Sequence, residues 1–78
     1  MKELIESIAK ALVENPEAVV ISEEQGEDGS VLIKLAADQA DMGRIIGKQG
    51  RTAKAMRTLL NAKATRENLR ATLQIVEE

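Results

Sequence analysis

The fold is decided by the stretch Ile45-Ile46-Gly47-Lys48-Gln49-Gly50-Arg51, in which two glycines bracket a lysine and a glutamine. Because glycine has no Cβ, a phosphate group can approach the main chain closely at Gly47 and Gly50. Lys48 adds positive charge, and a helix that starts after the loop adds free N–H groups at its positive end. The stretch therefore predicts a clamp for the backbone of a nucleic acid, and for single-stranded RNA in particular.

The charges of the chain are divided between two segments. The net charge of −2 and the pI near 5.2 argue against a general nucleic-acid binder, for which a pI above about 9 is usual. Residues 1–41 hold ten acidic and three basic residues, a net charge of −7, whereas residues 42–70 hold eight basic residues and one acidic residue, a net charge of +7. Blocks of like charge often mark only solvated helix faces. Because the glycine loop lies inside the basic block, a binding face on that segment is favoured.

Length and composition set the class of protein. With 78 residues, the chain is expected to form one domain over residues 1–78 with a small core. It has no cysteine and no histidine, which excludes disulfides, thiolate nucleophiles and most zinc sites, so we expect no metal and no cofactor. The cytoplasm is the expected compartment, since no apolar run is long enough to span a membrane and residues 1–15 are unlike a signal peptide.

The first half of the chain is predicted to form a helix and a β-hairpin. An apolar helical stripe runs along the N-terminal segment at Leu4, Ile5, Ile8 and Leu12. Asn15-Pro16 should end this helix, because the residue before proline is pushed out of the α region. A strand over residues 18–24, a turn at residues 26–29 and a strand over residues 31–35 then predict an antiparallel hairpin.

The second half is predicted to form two helices and a last strand. Asp38 is placed to cap a short helix that carries Met42, Ile45 and Ile46. The loop at residues 47–50 then turns the chain into a longer helix that runs to about residue 64. Residues 71–76 alternate between apolar and polar side chains, which is typical of a half-buried strand.

The resulting order, αββααβ, predicts an α+β fold with the helices packed on one face of a three-stranded mixed sheet. The hairpin makes the first two strands antiparallel, and the helical crossover makes the second and third strands parallel. The predicted core is apolar throughout and consists of Leu4, Ile5, Ile8, Leu12, Val19, Ile21, Val31, Ile33, Leu35, Met42, Ile45, Ile46, Met56, Leu60, Leu73 and Ile75.

In this order, the glycine motif between two helices resembles a KH domain of the bacterial, type II arrangement, and the resemblance covers essentially the whole chain. The longer run Asp41-Met42-Gly43-Arg44-Ile45-Ile46-Gly47-Lys48-Gln49-Gly50-Arg51 resembles more closely the KhpA family of stand-alone bacterial KH proteins. The acidic first helix ending in Glu14-Asn15-Pro16 and the small size fit the same family. A GxxG motif alone is weak evidence for a KH domain. The surrounding sequence and element order make the resemblance specific.

The resemblance implies a protein that holds about four nucleotides of single-stranded RNA, with the backbone on the GxxG loop and the bases in an apolar groove. An RNA chaperone or a post-transcriptional regulator is the implied role. The residues expected to hold RNA are Gly47, Lys48, Gln49, Gly50, Arg51 and Lys54, with Arg44 and Arg57 as weaker candidates.

The groove itself is less defined by the sequence. Ile46, like Ile45, either packs in the core, which is the favoured interpretation, or floors the groove. Ala53 stands where KH domains often carry a larger aliphatic residue, which leaves the depth of the groove open. The chain has no Phe, Trp or Tyr, so RRM and OB-type modules, which stack bases on aromatic rings, are disfavoured and binding is expected to be weak and tolerant of sequence.

Other interpretations of the loop fail or explain less. The segment from Gly43 to Gln49 has three residues rather than four before Gly-Lys and lacks the following Ser or Thr, so it is no Walker A motif. Ile45 breaks the dinucleotide pattern GxGxxG. A plain helix-loop-helix connection, with Gly47 as a helix cap, explains the glycines but not the gathered cations. The acidic pairs are better explained by turns and caps than by acid–base catalysis, so no enzyme is predicted.

Protein–protein association is the second class of function to consider. Leu59-Leu60 beside Met56 offers more apolar surface than one thin layer needs, and dimerisation would increase the buried area. The family resemblance also implies self-association and pairing with a larger KH-containing partner of the KhpB (Jag) type. The alternative to RNA binding is therefore an adaptor or dimerisation module in which RNA binding is weak or absent. No membrane partner is expected.

Overall fold

The computed structural model describes residues 1–76 and has the predicted order of elements. Three helices and three strands follow one another along the chain: α1 (Lys2–Leu12), β1 (Val20–Gln25), β2 (Ser30–Ala36), α2 (Met42–Ile46), α3 (Arg51–Arg66) and β3 (Arg70–Ile75). The αββααβ order and the α+β class are confirmed. No helix in this part of the chain is long and apolar enough to cross a membrane.

The strands form one mixed sheet in the order β1-β2-β3. β1 and β2 are antiparallel, with Val20 opposite Ala36 and Gln25 opposite Val31, as expected for a hairpin. β2 and β3 are parallel, with Ser30 paired to Arg70, because α2 and α3 carry the chain back between them. The glycine loop therefore lies between the two crossover helices.

The core lies between the helices and the inner face of the sheet. On β2, Val31, Ile33 and Leu35 alternate with less buried residues, which places them all on the helix side. The buried apolar side chains are those of Ile5, Ala9, Val31, Ile33, Leu35, Met42, Ile45, Ala53, Met56, Leu60, Ala64 and Leu73.

The predicted core was wrong at one position and incomplete at three. Leu12 is 36% exposed, because it is the last residue of α1 and the chain turns away there. Leu4, Ile8, Val19, Ile21, Ile46 and Ile75 are only half-buried at the margin of the core. Ala9, Ala53 and Ala64 are buried instead. These small side chains lie on the inward faces of α1 and α3, and their size does not mark them as core residues in a sequence.

Element ends differ slightly from the prediction. β1 starts at Val20 rather than residue 18, because Pro16–Ala18 forms one turn of 3₁₀ helix, with the Val19 N–H donating to Pro16 O. α3 continues to Arg66, two residues beyond the predicted end. Asn68 then takes a left-handed conformation (φ 58°), and the Leu69 N–H donates back to Ala64 O at 2.8 Å.

Two carboxylates join distant parts of the chain. Asp41 is 3% exposed, and its two oxygens accept the backbone N–H groups of Glu14 and Asn15, each at 3.1 Å. This ties the segment after α1 to the start of α2. Glu23 on β1 accepts the backbone N–H of Lys2 at 3.1 Å, at the first residue of α1. Such N–H groups at a helix start have no partner within the helix, so the carboxylate stabilises α1.

Candidate nucleic-acid interface

The loop between α2 and α3 has an unusual backbone. Gly47 has φ 77° and ψ 171°, a region essentially restricted to glycine. Gln49 and Gly50 both take left-handed conformations, with φ 59° and 74°. The turn is closed by a hydrogen bond from the Gly50 N–H to Gly47 O, 3.1 Å long. A left-handed glutamine costs about 1–2 kcal/mol, and such strain is often found at functional sites.

The two glycines of the loop have different surroundings. A Cβ at Gly47 would lie 2.8 Å from Thr52 N and 2.7 Å from Thr52 Cβ, so the first turn of α3 leaves no room for a side chain. A Cβ at Gly50 would meet no atom within 4 Å. Gly47 is therefore required by the fold. Gly50 keeps the outer surface of the loop bare, where another molecule can approach the backbone.

The predicted cations surround this bare surface. Lys48, Arg51 and Lys54 are exposed, and within residues 1–76 none of them forms an ion pair with a carboxylate. The Arg51 guanidinium makes only a long contact of 3.4 Å to Gln49 Oε1. Within the described residues no side chain caps the start of α3, although the Arg51 N–H already donates to Lys48 O. The structure thus brings Lys48, Gln49, Gly50, Arg51 and Lys54 together.

Arg44 is held differently from the other candidate cations. Its Nη2 lies 2.8 Å from Glu14 Oε1, and its Nε lies 3.7 Å from Asp41 Oδ1. Two carboxylates from the acidic segment therefore compete with any external anion for this side chain. Arg44 is exposed and near the loop, but its charge is already partly compensated.

The two isoleucines before the loop take separate positions. Ile45 is fully buried in the core, whereas Ile46 is only half-buried next to Gly47. The periodicity of α2 explains this difference, since Met42 and Ile45 point inward together and Ile46 lies at the edge of that stripe. Ile46 is thus the isoleucine of the pair that an external ligand can touch.

A groove runs between α3 and β3. It is lined by Arg57, Leu60, Asn61, Ala71, Thr72 and Leu73. The N–H groups of Arg70 and Val76 bond toward β2, so the alternate residues Ala71, Leu73 and Ile75 direct their N–H and C=O groups to the outer edge of the sheet. Arg57 lies at this edge, with its Nε donating to Leu73 O at 3.4 Å.

Ala53 is 4% exposed at the start of α3. The small residue expected near the groove is therefore a core residue, on the same inward stripe as Met56 and Leu60. It packs inward instead of reaching out over the surface.

Carboxyl groups in two turns outside the loop have lowered pKa values. The pKa of Asp28 is lowered by the Ser30 hydroxyl and backbone N–H, within the hairpin turn. The pKa of Asp38 is lowered by the Ala40 N–H and the Asn15 side chain, at the turn before α2. Both carboxylates therefore stabilise the folded protein when the pH is above their ordinary pKa values. This stabilisation is lost as the pH falls through the pKa that each group has in the folded protein.

Some residues that shape the site are not evident from the sequence. Thr52 fills the space beside Gly47, and Asp41 holds the start of α2 from a buried position. From the local sequence alone, Asp41 would be assigned only as a helix cap or as an acidic residue at the surface. Its partners are 26 and 27 residues away in the chain, so no local pattern reveals them.

The element order, the mixed sheet and the glycine loop between α2 and α3 define a KH domain of the type II arrangement. A solved structure of Era in complex with MgGDPNP and nucleotides 1506–1542 of 16S ribosomal RNA is similar, with a TM-score of 0.52 and 22% identity over 94% of this chain and 28% of that chain. A family model described as KhpA/KhpB, KH domain, matches residues 2–75. The chain belongs to this family.

Curated relatives match over nearly their full length. A protein of Clostridium perfringens is 49% identical over 97% of this chain and 100% of its own. A protein of Listeria monocytogenes is 51% identical over 99% of this chain and 100% of its own. A protein of Chlamydia trachomatis is 46% identical over 100% of this chain and 99% of its own. Each bears the name RNA-binding protein KhpA, so the predicted family is confirmed.

Proposed function

We propose that this protein binds a short segment of single-stranded RNA by gripping its backbone on the GxxG loop. The observation that carries the proposal is the combination of a bare, left-handed Gly50 with exposed cations beside it that form no ion pair within residues 1–76. Its relatives of similar length are named RNA-binding proteins, which supports the same function. We infer a binding module rather than an enzyme, acting in the cytoplasm as an RNA chaperone or post-transcriptional regulator.

The loop offers a phosphate three kinds of contact. The backbone at Gly50 is open to close approach, and the first turn of α3 after Arg51, whose own N–H donates to Lys48 O, is the positive end of a helix. Lys48 and Arg51 add charge on either side of Gly50, and Lys54 follows Arg51 one turn later. Gly47 acts indirectly, because it lets the chain pass close to Thr52 and thereby sets the shape of the turn.

The bases would lie beyond the loop, along Ile46 and the groove between α3 and β3. About four nucleotides fit a module of this type. With no aromatic side chain for stacking, contacts to the backbone should dominate the affinity. The affinity should then fall steeply with salt for the few phosphates that are engaged.

The decisive variant is Lys48→Asp combined with Gln49→Asp. Both side chains are exposed, so the fold should be intact by circular dichroism, while two carboxylates on the loop repel phosphate. We expect the affinity for RNA at low salt to fall by more than about tenfold. The control is Lys2→Asp with Ser7→Asp, which makes the same charge change at exposed positions of α1 and should have a much smaller effect. Unchanged affinity in a folded loop variant would refute the clamp and favour the adaptor function.

Association with a second KH protein is the additional function that an observation supports. Leu59 is 50% exposed and, with Leu4 and Ala62, lines a groove between α1 and α3. The neighbouring Leu60 and Met56 are buried in the core, as predicted, so Leu59 is the one of these three side chains that is exposed. We infer that the Leu59 face pairs with a second copy of this chain or with a KhpB (Jag) type partner, leaving the loop open.

Light scattering after size exclusion across a dilution series tests this association. We expect a dimer at high concentration that is lost in Leu59→Gln, with RNA binding by the loop retained. A monomer at high micromolar concentration in the unmodified protein would argue against self-association.

A further inference from the structure

The absence of aromatic residues raises a specific problem for the bases. In many single-strand binders each base stacks on a ring, and this chain has no Phe, Trp or Tyr. A flat guanidinium group also stacks on a base, by cation–π attraction and by contact of the two planes. The arginines near the groove are therefore the side chains that can take this role.

Arg57 is the arginine that the structure places across the groove. Its Nε donates to Leu73 O at 3.4 Å, and the Leu73 side chain is buried in the core beneath it. Since the carbonyl belongs to a strand of the sheet, its position is fixed. This contact is long, but it directs the guanidinium toward the edge of β3, which lowers the entropy lost when a base packs on it.

The rest of the guanidinium is uncommitted in the part of the chain that the structure describes. Unlike Arg44 and Arg70, Arg57 forms no ion pair with a carboxylate of residues 1–76. Its bond to Leu73 uses only Nε, so the terminal nitrogens and the flat faces remain open to a ligand.

The position of Arg57 suits contact with a base rather than with the phosphates held on the loop. Arg57 lies seven residues after Gly50, which is about 10 Å along the axis of α3. Beside it the groove floor is apolar, with Leu60, Ala71 and Leu73. A nucleotide whose phosphate lies on the loop can therefore extend its strand toward a floor that favours the apolar faces of bases.

We propose that Arg57 determines base preference by stacking its guanidinium plane on a base in the groove while its Nε stays on Leu73 O. This inference rests on the proposed function, because it requires RNA on the loop. A purine offers the larger face, so stacking favours adenine over uracil at this position. Lysine has the same charge but no plane, which separates stacking from simple attraction to phosphate.

The test compares Arg57→Lys with the matched control Arg70→Lys, using labelled oligo(A) and oligo(U) of equal length. We expect Arg57→Lys to lose about fivefold or more in affinity for oligo(A), to lose less for oligo(U), and to keep its salt dependence. Arg70→Lys should stay within about twofold on both, since Arg70 pairs with Asp28 of the hairpin turn and lies outside the proposed RNA contact. Circular dichroism checks the fold of each variant.

Equal affinities of Arg57→Lys and the unmodified protein for both oligonucleotides would overturn the stacking role. So would an equal loss on both oligonucleotides, because a stacked arginine should distinguish adenine from uracil. The Lys48→Asp, Gln49→Asp variant separates the two proposals, because it should lose both oligonucleotides even if Arg57 has no role. In the unmodified protein, ring-current shifts of the Arg57 side-chain N–H on adding oligo(A) are expected, and their absence would also contradict stacking.

Discussion

The acidic and basic segments of this protein carry opposite charges of equal size but use them differently. In residues 1–41, several carboxylates accept backbone N–H groups: Asp41 from the segment after α1, Glu23 from the start of α1 and Asp38 from the turn before α2. Around the loop, Lys48 and Arg51 have no carboxylate partner within residues 1–76.

The difference shows that net charge is a poor guide to the binding face of a small protein. Carboxylates that accept backbone N–H groups hold helices and strands together, and their charge is less available to a binding partner. Cations left unpaired at the surface keep their full attraction for phosphate. The chain is acidic overall, several of its acids stabilise the fold, and it still presents a basic face. Variants in the two segments should therefore change different properties.

The largest effect is expected inside the loop, where its two glycines can be compared. Gly47→Ala should cost about 4 kcal/mol of stability, because it combines a glycine-only backbone with overlap against Thr52. Gly50→Ala should cost only about 1–2 kcal/mol, the penalty of a left-handed alanine in open space. Urea unfolding measures both values.

Among the molecules that remain folded, Gly50→Ala should weaken RNA binding more than Gly47→Ala does. The Cβ of Gly50→Ala projects where the phosphate would lie, so the affinity should fall although the protein remains folded. Equal stability losses at the two glycines would show that the close approach of Gly47 to Thr52 does not govern the loop.

Asp41→Ala should have the next largest effect, and mainly on stability. It leaves two backbone N–H groups without their acceptor in a partly buried place, at a cost of about 2 kcal/mol in urea unfolding. Asp41→Asn, which keeps one acceptor, should fall between Ala and the unmodified protein. If Asp41→Ala were as stable as the unmodified protein, the structural role given to the acidic segment would be wrong.

Lys54→Ala should instead weaken RNA binding and leave the stability unchanged. We expect unchanged unfolding, an affinity for RNA lowered by about threefold, and a salt slope reduced by about 0.7, as for one lost phosphate contact. Lys34→Ala on β2, where the lysine pairs with Glu24, is the matched control and should leave the affinity unaltered. An equal loss at both lysines would indicate general attraction rather than a defined face.

Glu14→Gln should have the smallest effect, at the border between the segments. Removing this carboxylate frees Arg44 from a 2.8 Å ion pair, which should raise the affinity for RNA by about twofold at most because the pair is exposed to solvent. The gain should vanish when Arg44→Gln is added. No gain in the single variant would place Arg44 outside the RNA contact.

The sequence predicted the parts of this molecule that local patterns determine. The apolar stripe of α1, the break at Asn15-Pro16 and the alternation of β2 were sufficient for the element order and the mixed sheet. The GxxG loop was predicted between the helices that flank it. Its glycines looked equivalent in the sequence, since the contact with Thr52 depends on how the loop folds back on α3.

What the sequence did not predict depends on contacts between distant residues. Nothing local distinguishes the buried Asp41 from the exposed Asp38, or the paired Arg44 from the unpaired Arg51. The buried alanines of α1 and α3 were missed for the same reason, because a small side chain is buried only where another element packs on it. Leu12 was wrongly placed in the core because a periodic pattern does not show where a helix leaves its partner.

The most direct test of RNA binding by the glycine loop is a titration of isotope-labelled protein with short single-stranded RNA, followed through the backbone amide signals. We expect the largest shifts on residues 46–57 and on β3, next to the groove, while α1 and the hairpin turn at residues 26–29 stay unchanged. Shifts concentrated on α1 and the Leu59 face, with the loop unaffected, would contradict a clamp at Gly47 to Gly50.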